Sequence, residues 1–295
     1  VDPANTDLHV VPSDSTILRQ YLAEAYFLRA YYYYELVTFF GGVPLVETVL
    51  DVSEPYPPRA SEEETWALIE RDLRYASQFL PLKSEQQNFE RNHATKGAAQ
   101  SLLGRVYVFQ EKYDEAVPVL EEVITSMEYQ LDTSYAHIFT PDGEFGVESV
   151  FEISHSGSSP ADWVANRSRS YEGNVDCQMM GVRELSGSST HRPGWGFNKA
   201  ELSLVNAFVD AGDTLRRKAS IYNVDSLNAE QGGGLSWNSD YKYTGWYCNK
   251  YAPKEINRGD GVGASELDYN QNERVIRYAE VLLLAAEAHM LKSEI

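Results

Sequence analysis

Cysteine is almost missing from this chain: Cys177 and Cys248 are the only two in 295 residues. They fit no metal-binding spacing, and both a disulfide and two free thiols stay open. No run of 18 apolar residues occurs, which excludes an ordinary membrane-spanning helix within the sequence. Bases are few beside acids, 25 against 44, for a formal net charge of −19. A field of that sign repels phosphate backbones and anionic lipid, so nucleic acid is not an expected partner. The histidines, at 9, 93, 137, 155, 191 and 289, form no HExxH pair. There is no phosphate-cradling glycine motif and no G-x-S-x-G elbow. No cofactor, metal site or catalytic group is therefore read from the sequence. A carboxylate pair for glycoside hydrolysis would depend on a separation in space that chain spacing does not give. Val1-Asp2-Pro3 opens no secretory leader, and the last helical pattern runs almost to Ile295 without a stop signal. Both ends are expected to continue in a longer protein.

What is abundant is aromatic: 20 Tyr, 11 Phe and 5 Trp. Tyr and Trp join an apolar body to a polar tip, which suits wet binding surfaces as well as cores. The stretch Ala94 to Ser126 reads as two antiparallel helices. Ala99, Leu102, Val106 and Phe109 recur at helical spacing in the first, and Ala116, Val119, Leu120 and Val123 in the second. Gly104 would admit a close neighbouring helix, Asp114 can cap the second helix, and Pro118 falls in or just past its first turn. A helix over 16–40 carries Leu18, Leu22, Ala25, Leu28, Tyr32, Leu36 and Phe39 on one stripe, expected to face the core. Gly41-Gly42 ends it. Ser61 to Glu64 forms a capping box for a helix that turns Trp66, Ile69, Leu73, Ala76 and Leu80 inward. Glu148 to His155 reads as a strand. Asn198 to Phe208 reads as a short helix, 210–270 as irregular, and a helix returns from Arg274.

Leu103-Gly104-x-x-Tyr107 followed by Tyr113-Asp114-x-Ala116 resembles a tetratricopeptide (TPR) unit. One such unit cannot bury its apolar face alone, so partner helices are expected. Further stretches, in order, resemble the SusD/RagB family of surface nutrient-binding lipoproteins. They are Ala23-Glu24-Ala25-Tyr26-Phe27-Leu28-Arg29-Ala30 with Phe39-Phe40-Gly41-Gly42-Val43-Pro44-Leu45, Ala94 to Ala99 with Leu103-x-Arg105-Val106-Tyr107, Glu148 to Ile153, Lys250-Tyr251, and Ile276 to Ala288. The resemblance implies a mainly α fold: TPR-like helical hairpins with a long irregular, loop-rich insertion and a few short strands. It implies one domain over 1–295, with a scaffold at 16–126, an irregular ligand-binding region at 127–273 and a returning scaffold helix at 274–295. It further implies a non-catalytic protein of the bacterial outer-membrane surface, lipid-anchored through an N-terminal cysteine that this chain lacks. Such a protein would hold an oligosaccharide, or a peptide, for a SusC-like TonB-dependent transporter. A TPR-type adaptor for another protein is the alternative from the helical hairpins alone.

A sugar ring has an apolar C–H face and a polar rim, so its receptor needs flat aromatic platforms edged by amide, carboxylate or guanidinium groups. A platform burying roughly 80 Å² contributes about 2 kcal/mol gross. Two or three give roughly 4–6 kcal/mol, hence affinities of about millimolar to tens of micromolar. The expected platforms are Trp163, Trp195, Trp237, Tyr241, Tyr243, Trp246 and Tyr247. The expected polar rim is Asn166, Arg167, Arg192, Asn238 and Asp240.

Overall fold

The computed structural model describes residues 15–50, 56–87, 91–158, 172–239, 243–260 and 264–292. The chain is mainly helical and divides into two compact units. The first comprises residues 1–131, 149–151 and 276–295, and the second 132–148 and 152–275.

The first unit is built from helices α1 (Ser15–Phe40), α2 (Glu62–Phe79), α3 (Lys96–Phe109), α4 (Tyr113–Thr125) and α9 (Tyr278–Lys292). α1 packs on α2, α2 on α3, α3 on α4, and α9 on α3 and α4. The Ser61 hydroxyl accepts from Glu64 N while Glu64 accepts from Ser61 N, so the capping box forms. Trp66, Ile69, Leu73, Ala76 and Leu80 are all buried. The α3–α4 contact needs Gly104: a Cβ there would lie 2.3 Å from Leu120 Cδ2. α4 starts two residues earlier than its Asp114 cap implies, with Lys112 at the N-cap, and Pro118 lies inside the helix. Val117 is buried where Val119 was expected, and Phe109 is more than half exposed while packing at a tilt against Trp66, ring centroids 5.3 Å apart.

The expected inner stripe of α1 is wrong. Ala23, Tyr26, Phe27, Ala30, Tyr33 and Val37 face the core, whereas Leu28, Tyr32, Leu36 and Phe39 are exposed, Phe39 by 78%. Two apolar stripes run along this helix, and periodicity alone does not rank them. What ranks them is polar chemistry beside the true inner face. Arg29 lies on it and meets Asp72, itself 1% exposed, through two hydrogen bonds of 2.6 and 2.8 Å.

The second unit holds the short elements α5 (Val175–Met180), α6 (Leu202–Asp210), α7 (Thr214–Ser220), β2 (Ile221–Asn223), α8 (Val224–Glu230) and β3 (Trp246–Cys248). β1 (Ser149–Ile153) pairs with β4 (Glu273–Arg277), and β2 pairs with β3. The span 210–270 is thus less irregular than its sequence suggests. Its helices have seven residues each, too few to show a period, and they are set by caps at Asp213 and Asn223. Residues 273–277 are strand β4, so the last helix opens at Tyr278 and not at Arg274. Within the first unit Glu280 meets Arg105, 2.7 Å away.

Side chains of 271–274 order this unit. Gln271, fully buried, donates to the carbonyls of Phe139 and Lys250 and accepts from Asn257 Nδ2. Asn272 Nδ2 donates to Glu152, and Asn272 N donates to Glu144. The Arg274 side chain, 2% exposed, donates to Glu144 and to the carbonyls of Thr140 and Asn272, with Glu152 3.8 Å from its Nε. Removing one charge from such a buried set costs more than the pair contributes, because its partners stay desolvated. Arg274→Met is therefore expected to destabilise the protein by about 3–5 kcal/mol, read as a lower urea midpoint at pH 7. Adding Glu152→Gln to that variant recovers part of the loss.

Candidate functional site

The β2–β3 ribbon forms one wall of a concavity in the second unit. Its register sets Ile221 against Cys248, Tyr222 against Tyr247, and Asn223 against Trp246. Side chains alternate across a strand, so Trp246 and Tyr247 cannot present the same face. Tyr247 points inward and is fully buried with Val182, Leu185, Val224 and Leu227. Trp246 is half-buried and lines a cavity of about 370 Å³.

The other walls follow from local structure. α7, capped by the Asp213 carboxylate on Arg216 N, ends at β2 and brings Arg217 and Lys218. Asn223 Oδ1 then accepts from Ser226 N, turning the strand directly into α8, which contributes Ser226, Leu227 and Glu230. Asn249 closes the ribbon side: its backbone N–H reaches Ser220 O at 2.8 Å, and its amide reaches Lys218 O at 2.7 Å. His191 and Tyr222 complete the lining, with ring centroids 4.8 Å apart. The Arg217 guanidinium lies 5.6 Å from the Trp246 ring centroid. Burial, helped by nearby Lys254, lowers the His191 pKa to about 4, so the imidazole is neutral at pH 7. This lining can offer an aromatic surface, amides and charged donors to one small polar ligand or one residue of a longer one.

A second aromatic surface lies at Trp195 and Phe197. They are 37% and 57% exposed, edge-to-face with centroids 6.3 Å apart. Their backbone is held from below: the N–H groups of Gly194, Trp195, Gly196 and Phe197 reach the carbonyls of Val182, Gln178, Gly181 and Met179. Gly194 runs so close that a Cβ would lie 2.3 Å from Gly181 Cα.

Other expected residues serve packing. Trp237 packs on the Tyr247 cluster and donates to Tyr243 Oη at 3.0 Å, so the two rings support each other. Tyr247 offers no face to a ligand, and the strand period is the reason. Arg192 is largely buried, its guanidinium 5.8 Å from the Tyr269 ring and 4.0 Å from Glu255. Asn238 is half-buried and donates its backbone N–H to Arg183 O. Trp163, Asn166, Arg167, Asp240 and Tyr241 lie outside the described residues. Sequence reading missed Arg217, Lys218, Tyr222, Asn223 and Asn249. The adjoining bases Arg216-Arg217-Lys218 were the one available signal.

Residues 1–108 match the family model described as "Starch-binding associating with outer membrane", and residues 192–294 match that described as "SusD family". Among curated proteins, "SusD-like protein P2" of Formosa agariphila is 28% identical over 95% of this chain and 54% of its own length. "SusD-like protein P38" of the same organism is 30% identical over 97% and 56%. The chain thus spans about half the length of the curated relatives it matches. Among solved structures, a "Laminarin binding SusD-like protein" superposes with a TM-score of 0.85 at 32% identity, covering 96% of this chain and 62% of that one. "Surface glycan-binding protein A from Bacteroides thetaiotaomicron in complex with laminarihexaose" gives 0.83 at 26% identity, covering 96% and 59%.

The depressed His191 pKa has a thermodynamic consequence. The unfolded chain binds a proton near pH 6.5 and the folded chain only near pH 4, so this group lowers stability as pH falls through that window. The loss is expected to reach about 3 kcal/mol at most and to level off below the lower value. Urea denaturation at stepped pH checks it: His191→Gln should flatten this part of the profile relative to the parent.

Proposed function

The chain belongs to the SusD/RagB family, and from that premise we propose that it captures an oligosaccharide without chemical conversion. The observation that carries the reading is the Trp246 cavity: an aromatic wall, two amides and charged groups on a loop-built unit. Of the structural relatives, the one at 32% identity is a laminarin-binding protein and the one at 26% identity is a glycan-binding protein in complex with laminarihexaose, which supports a glycan as the ligand class. The exposed Trp195–Phe197 pair supplies a second platform for a longer chain. The captured glycan is handed to a SusC-like TonB-dependent transporter at the outer membrane, where the whole protein is lipid-anchored. That half of the proposal rests on the family resemblance. No helix of the described residues is long and apolar enough to cross a membrane.

Calorimetry against a panel of six-residue glycans, with laminarihexaose included, tests the capture reading. Micromolar to millimolar binding is expected, and Trp246→Ala should weaken it by about tenfold or more, since a lost platform forfeits about 2 kcal/mol. Absence of heat with every glycan, from folded protein, would count decisively against it. Release of reducing sugar would instead establish a hydrolase.

The adaptor reading has one observation in its favour, the exposed apolar face of α1 at Leu28, Tyr32, Leu36 and Phe39. If that face docks a protein, Tyr32→Ser with Phe39→Ser should abolish co-purification with the transporter while glycan affinity stays within about twofold. Loss of glycan binding in that variant would reject the separation of roles.

A further inference from the structure

Resting on the glycan-capture reading, we propose that the Trp246 cavity selects an acidic oligosaccharide, one whose sulfate ester or uronate carboxylate reaches Arg217 and Lys218. The charge of this chain is distributed against expectation at that wall. Acids outnumber Lys and Arg 44 to 25 overall, yet Arg216-Arg217-Lys218 is the only place where Lys or Arg residues adjoin. Arg216 is neutralised by Asp213 at the start of its own helix. Arg217 and Lys218 pair with no carboxylate of the described residues, and both line the cavity. Glu230, exposed on α8, is the one carboxylate among the lining residues. Within the cavity the ratio of bases to acids is therefore inverted.

Two further features fit a fixed anion. Arg217 is steadied by the Trp246 ring, which positions the guanidinium and leaves its charge uncompensated. A held guanidinium presents parallel N–H donors that match two oxygens of a carboxylate or sulfate. His191 Nε2 is shielded from solvent and meets no hydrogen-bond partner among the described residues. A sugar hydroxyl would satisfy such an atom without adding charge, as the amides of Asn223 and Asn249 could do at the rim. The net charge of −19 does not override this set. At physiological salt, fields from exposed charges fade over about 8 Å, so the groups lining the cavity dominate what a bound ligand meets.

Calorimetry with three six-residue probes tests the proposal: laminarihexaose for the neutral case, hexagalacturonate for carboxylate, and a sulfated galactan hexasaccharide for sulfate ester. At least one acidic probe is expected to bind about tenfold or more tighter than laminarihexaose at about 0.05 M salt, an advantage that shrinks at about 0.5 M. The better of the two acidic probes identifies the anion. Arg217→Gln with Lys218→Gln should bring the acidic-to-neutral ratio near unity, whereas Arg216→Gln should keep it. Circular dichroism and an unchanged thermal transition establish that each variant is folded. Laminarihexaose binding as tightly as both acidic probes overturns the charge proposal and leaves glycan capture standing. Persistence of the ratio in the double variant overturns its assignment to this cavity. No heat with any of the three probes overturns both readings.

Discussion

A unit made largely of loops has to satisfy its main-chain polar groups without long ladders. In the second unit the buried side chains of Gln271, Asn272 and Arg274 take that role. Gln271 ties the carbonyls of Phe139 and Lys250 to the amide of Asn257. Arg274 gathers Glu144 and the carbonyls of Thr140 and Asn272. Burial raises the pKa of Glu144, and Arg274 opposes that shift, so each side of the pair is costly without the other. Segments more than a hundred residues apart in sequence are thereby held in one place. The helical unit uses the more familiar solution, apolar faces and close approach at Gly104, supplemented by the Arg29–Asp72 ion pair beside the inner face of α1.

The cavity depends on that order, because its walls are individually weak. α7 and α8 have seven residues each, below the length at which a helix is stable in isolation. They are fixed by two side-chain caps and by a three-residue ribbon whose inner partner, Tyr247, is sealed in an apolar cluster. The same alternation that buries Tyr247 turns Trp246 to the cavity. Packing and presentation of the aromatic wall are thus two outcomes of a single register. A one-residue slip would exchange them.

The helical scaffold was legible in the sequence wherever one local rule left no competitor. The Ser61–Glu64 box, the turn at Gly41-Gly42 and the small residue at Gly104 each have one physical reading, and each is found. The α1 stripe was misread because aromatic residues occupy both faces, and only the position of Arg29 over Asp72 distinguishes them. In the second unit α7, α8 and β4 escaped notice. Seven helical residues make fewer than two turns, and a five-residue strand built of Glu, Arg, Val and Ile has no clean alternation.

Of the expected platforms, composition could identify the residue types but not their orientation. Trp195 stays exposed because its backbone, between Gly194 and Gly196, is bound against residues 178–182, and Trp237 is used up on Tyr243. Family kinship, the helical hairpins and the aromatic supply are written in the chain itself, since they follow from local spacing and motifs. Which tryptophan faces a cavity, and which cations stand beside it unpaired, depends on strand register and on residues brought from afar. Those are properties of the folded arrangement, because no local interaction energy records them.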